Sequence, residues 1–299
     1  MKHIFIVNKI SGKGKGLESI SLINNICQKR LLDYEIIITE YPMHTKHIAK
    51  RYRAEDNVCL YAVGGDGTIL EVLNGLNDAV PFAIIPAGSG NDFYRLISDD
   101  INDFNKIIND TIDADIKQID YGQTNKMKFL NCTSIGIDSD VNIDASYMIR
   151  NTFITKGPAY ILSIIKNVII PKAKELIIEY DGTKEEGKYL IACAMNGRYY
   201  GNGVKAAPNA DIQDGYFDLI LVKDQPIHIV YPCLIKYMQG KHINDQRFRI
   251  IKAKNIKITS KTPMSIQSDG ENYRDNILEI QIKNRALNLK APSYLKIII

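Results

Sequence analysis

Tryptophan is absent from this 299-residue chain, and cysteine is scarce: five residues, at 27, 59, 132, 193 and 233, with no C-x-x-C pair. An odd number of widely spaced thiols speaks against a disulfide framework or a structural zinc site, and the five are expected in the core. No apolar run approaches the roughly 18 residues a spanning helix needs, and the best stretch, Tyr160 to Ile170, carries Lys166 and Asn167 in its middle. A membrane-spanning chain is not expected. The N-terminal apolar run, Ile4 to Val7, is shorter than the core of a secretory signal, so the cytoplasm is the expected compartment. In that setting Asn131-Cys132-Thr133 reads as a buried strand segment, not a glycosylation acceptor. Charge of one sign is not in large excess either: 38 basic and 34 acidic residues leave +4, which does not call for a nucleic-acid partner. Apolar residues at 45% and charged residues at 24% are those of a chain that folds.

What is present is organised in two styles. In the first third, His3 to Asn8, Glu35 to Thr39, Val58 to Val63 and Pro81 to Ile85 read as strands. Between them Leu17, Ile20, Ile23, Cys27 and Leu31, then His44 to Tyr52, then Ile69, Val72, Leu73 and Leu76 recur at helical spacing. Apolar strands alternating with helices predict an open α/β domain with a parallel sheet, whose ligands sit at the strands' C-terminal ends. After about residue 115 the chain becomes short strand-like runs: Ile116 to Gly122, Lys128 to Ile135, Leu176 to Tyr180, Lys188 to Met195, Phe217 to Val222, Phe248 to Ile251, Ile256 to Thr259, Met264 to Gln267 and Ile277 to Ile282. Asp181-Gly182 is a hairpin signal between two of them. Two helical segments interrupt, Ala159 to Ile169 and Ile227 to Met238, the second expected to kink or split at Pro232. The expected fold is therefore α/β: a nucleotide-binding domain over 1–120, and a mainly antiparallel β-sandwich over 121–286. A tail near 287–299 is allowed to return to the first. A cleft between unlike domains is the expected site.

Two glycine loops follow neighbouring strands. Gly64-Gly65-Asp66-Gly67-Thr68 closes one strand and opens a helix, so backbone N–H groups and the helix N-terminus can cradle a phosphate. A carboxylate at Asp66 would repel phosphate unless a cation neutralises both, so it points to Mg²⁺ or to proton transfer. Pro86-Ala87-Gly88-Ser89-Gly90-Asn91-Asp92 has the same placement after the next strand. Either loop alone also fits an ordinary capped turn; the pair facing one crevice is harder to explain that way. Asn8, Ser11, Lys13 and Lys15 add a third loop at the end of the first strand. Neither a Walker A motif nor G-x-G-x-x-G occurs. His44 and His47 read as a solvated helix face. Arg247, Arg249, Lys252, Lys254, Lys257 and Lys261 read first as solvated strand edges and second as a face for anionic headgroups.

Taken in order, Gly64-Gly65-Asp66-Gly67-Thr68, Pro86-x-Gly88-Ser89-x-Asn91-Asp92, Gly136-Ile137-Asp138, Tyr200-Gly201-Asn202-Gly203 through Ala207-Pro208-x-Ala210 to Asp214-Gly215-x-x-Asp218, and Ser268-Asp269-Gly270-Glu271 resemble the diacylglycerol kinase catalytic family. The likeness is to its bacterial soluble lipid kinase branch and runs over nearly the whole chain. Sphingosine and ceramide kinases and, more distantly, NAD kinases share the glycine-aspartate loop. The resemblance implies ATP held by Gly64, Gly65, Asp66, Gly67 and Thr68 and by Gly88, Ser89, Asn91 and Asp92, with Asn8, Ser11 and Thr39 as further contacts. It implies Glu271 as general base toward a lipid hydroxyl, with Asp66 as the alternative, and a structural Mg²⁺ held by the Asp214 carboxylate and the main-chain oxygens of Asp211 and Tyr216. Departures are Lys9 for a usual proline, Met43 for a frequent glycine, Leu70 for an asparagine, and Asn202 within a glycine run.

The implied activity is transfer of the γ-phosphoryl of Mg-ATP to a lipid hydroxyl, diacylglycerol first among acceptors. A NAD kinase acting on a soluble nucleotide and a non-catalytic nucleotide- or lipid-binding regulator are the rivals. The implied partner is a lipid substrate at a membrane surface, with peripheral membrane contact; Met148 to Ile170 is apolar enough to help line an acyl-chain cleft and fits core packing equally well. Exposed strand edges in the second half leave a homodimer open.

Overall fold

The computed structural model describes residues 1–98, 103–152, 162–163, 166–167 and 173–292. Four parallel strands form the first half: β1 (Lys2–Val7), β2 (Tyr34–Ile38), β3 (Val58–Gly64) and β4 (Phe82–Pro86). They lie in the order β4-β3-β1-β2. Alternation splits each strand between two cores. Ile4, Ile6, Leu60, Ala62, Phe82 and Ile84 enter one; Phe5, Val7, Tyr61, Val63, Ala83 and Ile85 enter the other. Helices α2 (His44–Ala49) and α3 (Asp66–Gly75) cover the first through Ile48 and Leu73. Helix α1 (Lys15–Lys29) covers the second through Ile23 and Cys27. It is joined there by α5 (Phe104–Asp113), whose Ile108 and Ile112 bury on the same side and whose N-cap Asp103 accepts the Lys106 amide. A single turn, α4 (Tyr94–Ile97), follows the second glycine loop. Burial on both faces is why these strands read as unbroken apolar runs.

The second half is antiparallel: β5 (Ile116–Thr124), β6 (Lys128–Phe129), β7 (Cys132–Gly136), β8 (Lys174–Tyr180), β9 (Thr183–Met195), β10 (Phe217–Lys223), β11 (Arg249–Ala253), β12 (Asn255–Ser268) and β13 (Glu271–Lys290). The expected hairpin is formed, with Asp181 and Gly182 both at positive φ and Tyr180 opposite Thr183. The runs Ile256 to Thr259 and Met264 to Gln267 are one strand, β12, because its register with β13 shifts between Thr259 and Met264 instead of breaking there. Lys128 to Ile135 is conversely split into β6 and β7. All five cysteines are buried, and the Asn131 to Thr133 segment is buried with them.

β13 joins the halves. It pairs with β12 and β5, shifts register between Lys283 and Leu287, and then runs parallel to β4 at Leu289 and Lys290, so the described strands form one continuous 13-stranded sheet. Leu287, Leu289 and Ala291 enter the core of the first half.

Among the described residues, two long helices lie on the second half. Helix α6 (Ile137–Asn151) was not expected from the sequence, and the helix Ile227–Met238 runs through Pro232 without splitting. Most of the expected helix over Ala159 to Ile169, and with it much of the expected acyl-chain segment, lies outside the described residues. Among the described residues no helix is long and apolar enough to cross a membrane.

Candidate active site

Three loops meet where β1, β3 and β4 end. Asn8, immediately after β1, donates its side-chain amide to Thr68 Oγ1 at 3.1 Å and its backbone amide to the Val63 carbonyl. It thereby braces the first turn of α3. Ser11 donates its amide back to the Asn8 carbonyl, and Thr39, buried at the end of β2, donates its own to Val7. The glycines are required by contact. A Cβ on Gly88 would stand 2.3 Å from Gly65 Cα, one on Gly64 2.3 Å from Thr68 Oγ1, and one on Gly12 2.1 Å from the Ala87 carbonyl oxygen. By contrast, a Cβ on Gly67 would meet nothing within 4 Å, which leaves the N-terminus of α3 open. That open terminus, rimmed by glycines, fits the phosphates of a nucleotide. Asn91 is used internally, accepting the Gly88 amide at 3.2 Å and donating to the Gly88 carbonyl at 3.0 Å. Ser89 is exposed at the tip.

Two carboxylates stand at this opening. Asp66 Oδ1 accepts the Asp92 amide at 2.8 Å, and Asp92 Oδ2 accepts the Asn202 amide at 2.8 Å. Burial, with the Asp92 charge adding to it, pushes the Asp66 carboxyl up to about 6. Burial raises Asp92 as well, against the amides of Asn202 and Gly203 and the charge of Arg95, whose Nε lies 3.9 Å away. Asp92 Oδ1 is buried without a hydrogen-bond partner. That oxygen, with the Asp66 carboxylate beside it, fits a divalent cation arriving with phosphates.

The Asp269-Gly270-Glu271 turn lies at the start of β13. Asp269, at φ 44°, accepts the amides of Leu130 (2.6 Å), Asn131 (3.0 Å) and Cys132 (2.9 Å). Burial pushes its carboxyl up to about 7 against those three hydrogen bonds, and the Asp66 charge contributes, which places the two loops within electrostatic reach. Asn142 on α6 donates to the Gly270 carbonyl at 3.1 Å and to Asn272 Oδ1 at 3.0 Å, and Gln267 Oε1 accepts the Gly270 amide. Glu271 is left exposed on a turn fixed from both sides.

The Asp211 to Tyr216 turn is a separate place. Asp214 Oδ1 accepts the Tyr216 amide and Asp211 Oδ1 the Gln213 amide, both at 2.9 Å. Asp214 Oδ2 is 2.7 Å from Lys252 Nζ, and the Lys254 ammonium lies 4.6 Å over the Tyr216 ring. With a backbone amide on one Asp214 oxygen and the Lys252 ammonium on the other, these residues do not fit the divalent cation that the resemblance implies.

Two residues here were not singled out from sequence: Arg95 donates to the Gly90 carbonyl, and Asn142 holds Gly270. Asn202, named from sequence only within its glycine run, caps Asp92, and Glu71 accepts the Met43 amide. The i, i+3 spacing of Asp92 and Arg95 was a usable signal; the others depend on tertiary contact. The basic run of β11 and β12 is largely paired: Arg247 with Asp245, Arg249 with Glu185, Lys252 with Asp214 and Asp218, and Lys257 with Glu279.

Glycine loops at the ends of adjacent parallel strands, joined to an antiparallel half that brings an Asp-Gly-Glu turn into reach, define a two-part kinase-like architecture. The comparisons give the family. Residues 2–124 match the diacylglycerol kinase catalytic domain, and residues 131–291 match the YegS C-terminal NAD kinase beta sandwich-like domain. A Bacillus subtilis (strain 168) protein named "Putative lipid kinase YtlR" is 30% identical over 289 residues, 91% of this chain and 94% of that one. The "Diacylglycerol kinase" of the same organism is 29% identical over 228 residues, 75% of each. A crystal structure titled as a "putative diacylglycerol kinase" from Bacillus anthracis str. Sterne superposes with a TM-score of 0.79 at 27% identity, covering 98% of this chain and 96% of that one. The chain belongs to the diacylglycerol kinase catalytic family.

Proposed function

We propose that this member transfers the γ-phosphoryl group of ATP to the hydroxyl of a membrane lipid, with diacylglycerol as acceptor and phosphatidic acid as product. The observation that carries this reading is the packing of Gly65 against Gly88 at the open N-terminus of α3, with the Asp66 carboxylate beside it. Phosphoryl transfer needs position and charge neutralisation more than covalent chemistry. The glycine loops take the nucleotide phosphates on backbone amides, and Asp66 and Asp92 would hold a magnesium ion arriving with the nucleotide, which would supply positive charge. The acceptor hydroxyl attacks the γ-phosphorus as the bond to the β,γ-bridging oxygen breaks. Its proton passes to Glu271 on its exposed turn, while Asp66 is the alternative acceptor of that proton. A lipid acceptor brings the protein to a membrane surface as a peripheral partner.

The test is transfer of labelled γ-phosphate from ATP with Mg²⁺ to a panel of micellar lipids, with NAD as a competing soluble acceptor, for wild type, Glu271→Gln and Asp66→Ala. Labelled phosphatidic acid from wild type, reduced at least about 100-fold in both variants, is expected. Label on NAD alone, or on no acceptor despite nucleotide binding, overturns the reading.

A further inference from the structure

The Asp211 to Tyr216 turn is fastened to β5 and to β13, the strand that joins the two halves. Asp120 on β5 donates its amide to the Ile212 carbonyl and accepts the amides of Gly215 (2.7 Å) and of Arg285 (2.6 Å), the latter at the register shift of β13. Gln213 donates to the Gln118 carbonyl. On the far side of the turn, Lys252 of β11 lies opposite Asp218 of β10 in register, and its ammonium reaches two carboxylates: Asp214 Oδ2 at 2.7 Å and Asp218 Oδ2 at 3.0 Å. Asp218 is buried, so its charge is costly unless a cation stays beside it. Four carboxylates, those of Asp120, Asp211, Asp214 and Asp218, gather at this joint. They are met by four backbone amides and by the Lys252 ammonium, while Lys254 lies over the Tyr216 ring and Arg285 donates to the Gln213 carbonyl.

We propose that the ammonium of Lys252 is the resident cation of this joint, bridging Asp214 and Asp218 where the family resemblance implies a bound Mg²⁺, so that the turn is locked without a metal. One Nζ with three donors can hold two carboxylates at hydrogen-bond distance, and a tethered charge does so at any metal concentration. A second, divalent charge within contact distance of that ammonium would be repelled, and it would have to displace bonds already made to both Asp214 oxygens. The metal needed with the nucleotide is a different ion at a different place. This inference is independent of the lipid reading, because its test uses neither nucleotide nor acceptor.

The experiment is thermal unfolding of the nucleotide-free full chain in EDTA and in millimolar MgCl₂. Wild type is expected to melt within about 1 °C in the two buffers. Lys252→Met in EDTA is expected to melt at least about 3 °C lower, with MgCl₂ restoring part of the loss now that two carboxylates are free to bind it. Lys252→Arg, which keeps the charge, stays within about 2 °C of wild type in EDTA. If Lys252→Met fails to fold, wild type and Lys252→Arg in the two buffers decide the matter. The assignment is overturned by a wild type that MgCl₂ stabilises by about 3 °C or more, with that gain lost in Asp214→Asn. A Lys252→Met loss that MgCl₂ leaves untouched would reduce Lys252 to an ordinary ion-pair partner and overturn it equally.

Discussion

The Asp269 carboxylate lies 2.6 Å from the amide of Leu130, a residue 139 positions earlier, and this one side chain fastens the start of β13 to the opening of β7. Leu130, Asn131 and Cys132 are all buried, so their amides have no ready solvent to turn to. Asp269→Ala strands three of them, each costing about 1–3 kcal/mol when left unpaired, with the sum reduced by relaxation and entering water. A fall in Tm of at least about 5 °C is expected, and a smaller fall for Asp269→Asn, which keeps one acceptor. Differential scanning calorimetry of the two variants decides it. An Ala variant as stable as wild type would mean that the nest is not what holds the turn.

Glu271 differs from its neighbour in that nothing in the fold depends on it. It is exposed, while Asn142 and Gln267 fix the Gly270 backbone beside it. Glu271→Gln should therefore leave Tm within about 1 °C of wild type while lowering kcat by about 10²–10⁴ with KM for ATP unchanged. Asn142→Ala, acting only through position, should cost about tenfold in kcat. Steady-state kinetics on micellar diacylglycerol checks both; equal losses in kcat and in Tm for Glu271→Gln would recast it as a structural residue.

Gly88→Ala tests the contact between the two glycine loops. The added methyl would be 2.3 Å from Gly65 Cα and 2.9 Å from Asn91 Oδ1, so backbone must move, at a cost of about 1–3 kcal/mol. Because that movement separates the loops, nucleotide affinity should fall at least tenfold by isothermal titration, whereas Gly67→Ala, with open space around it, should change stability by less than about 0.5 kcal/mol. Unchanged ATP affinity in Gly88→Ala would remove these loops from the nucleotide site.

The parts visible in sequence were those whose signal is local. β3 and β4 stand out because both faces are buried, and the loops after them because contact distances exclude a Cβ at Gly64 and Gly88. Helix α6 was missed because Asp138, Ser139, Asp140, Asn142 and Asp144 leave its first turns only a narrow apolar stripe, Ile137, Val141 and Ala145. β12 was read as two runs because Ser260 to Pro263 looks like a stop, whereas the strand continues across a register shift. The tasks of Asp269 and Lys252 are fixed by Leu130 to Cys132 and by Asp214 and Asp218, partners far off in sequence, and local pattern could show only a polar turn and one lysine among several.

Asp66 carries the pH dependence. Burial and the Asp92 charge push its carboxyl up to about 6 from the ordinary 3.8. A carboxyl whose folded pKa is raised binds its proton more tightly in the native state. Its stabilising contribution is therefore complete below 3.8 and is lost as pH rises through about 6, above which the ionised group is a net cost. Asp66→Asn removes that cost: the variant should be more stable than wild type by roughly 1–3 kcal/mol above about pH 7, with the gap closing toward the acid end of this window. Activity runs the other way. If the ionised form handles the nucleotide's cation or the acceptor's proton, wild-type kcat/KM should rise with pH through about 6, and Asp66→Asn should lose at least about 100-fold at every pH. Urea unfolding and kcat/KM measured across that range separate the two effects. A stability gap that stays constant with pH would mean that Asp66 titrates as an ordinary surface carboxylate, and that its place beside the phosphate cradle is not maintained at the expense of stability.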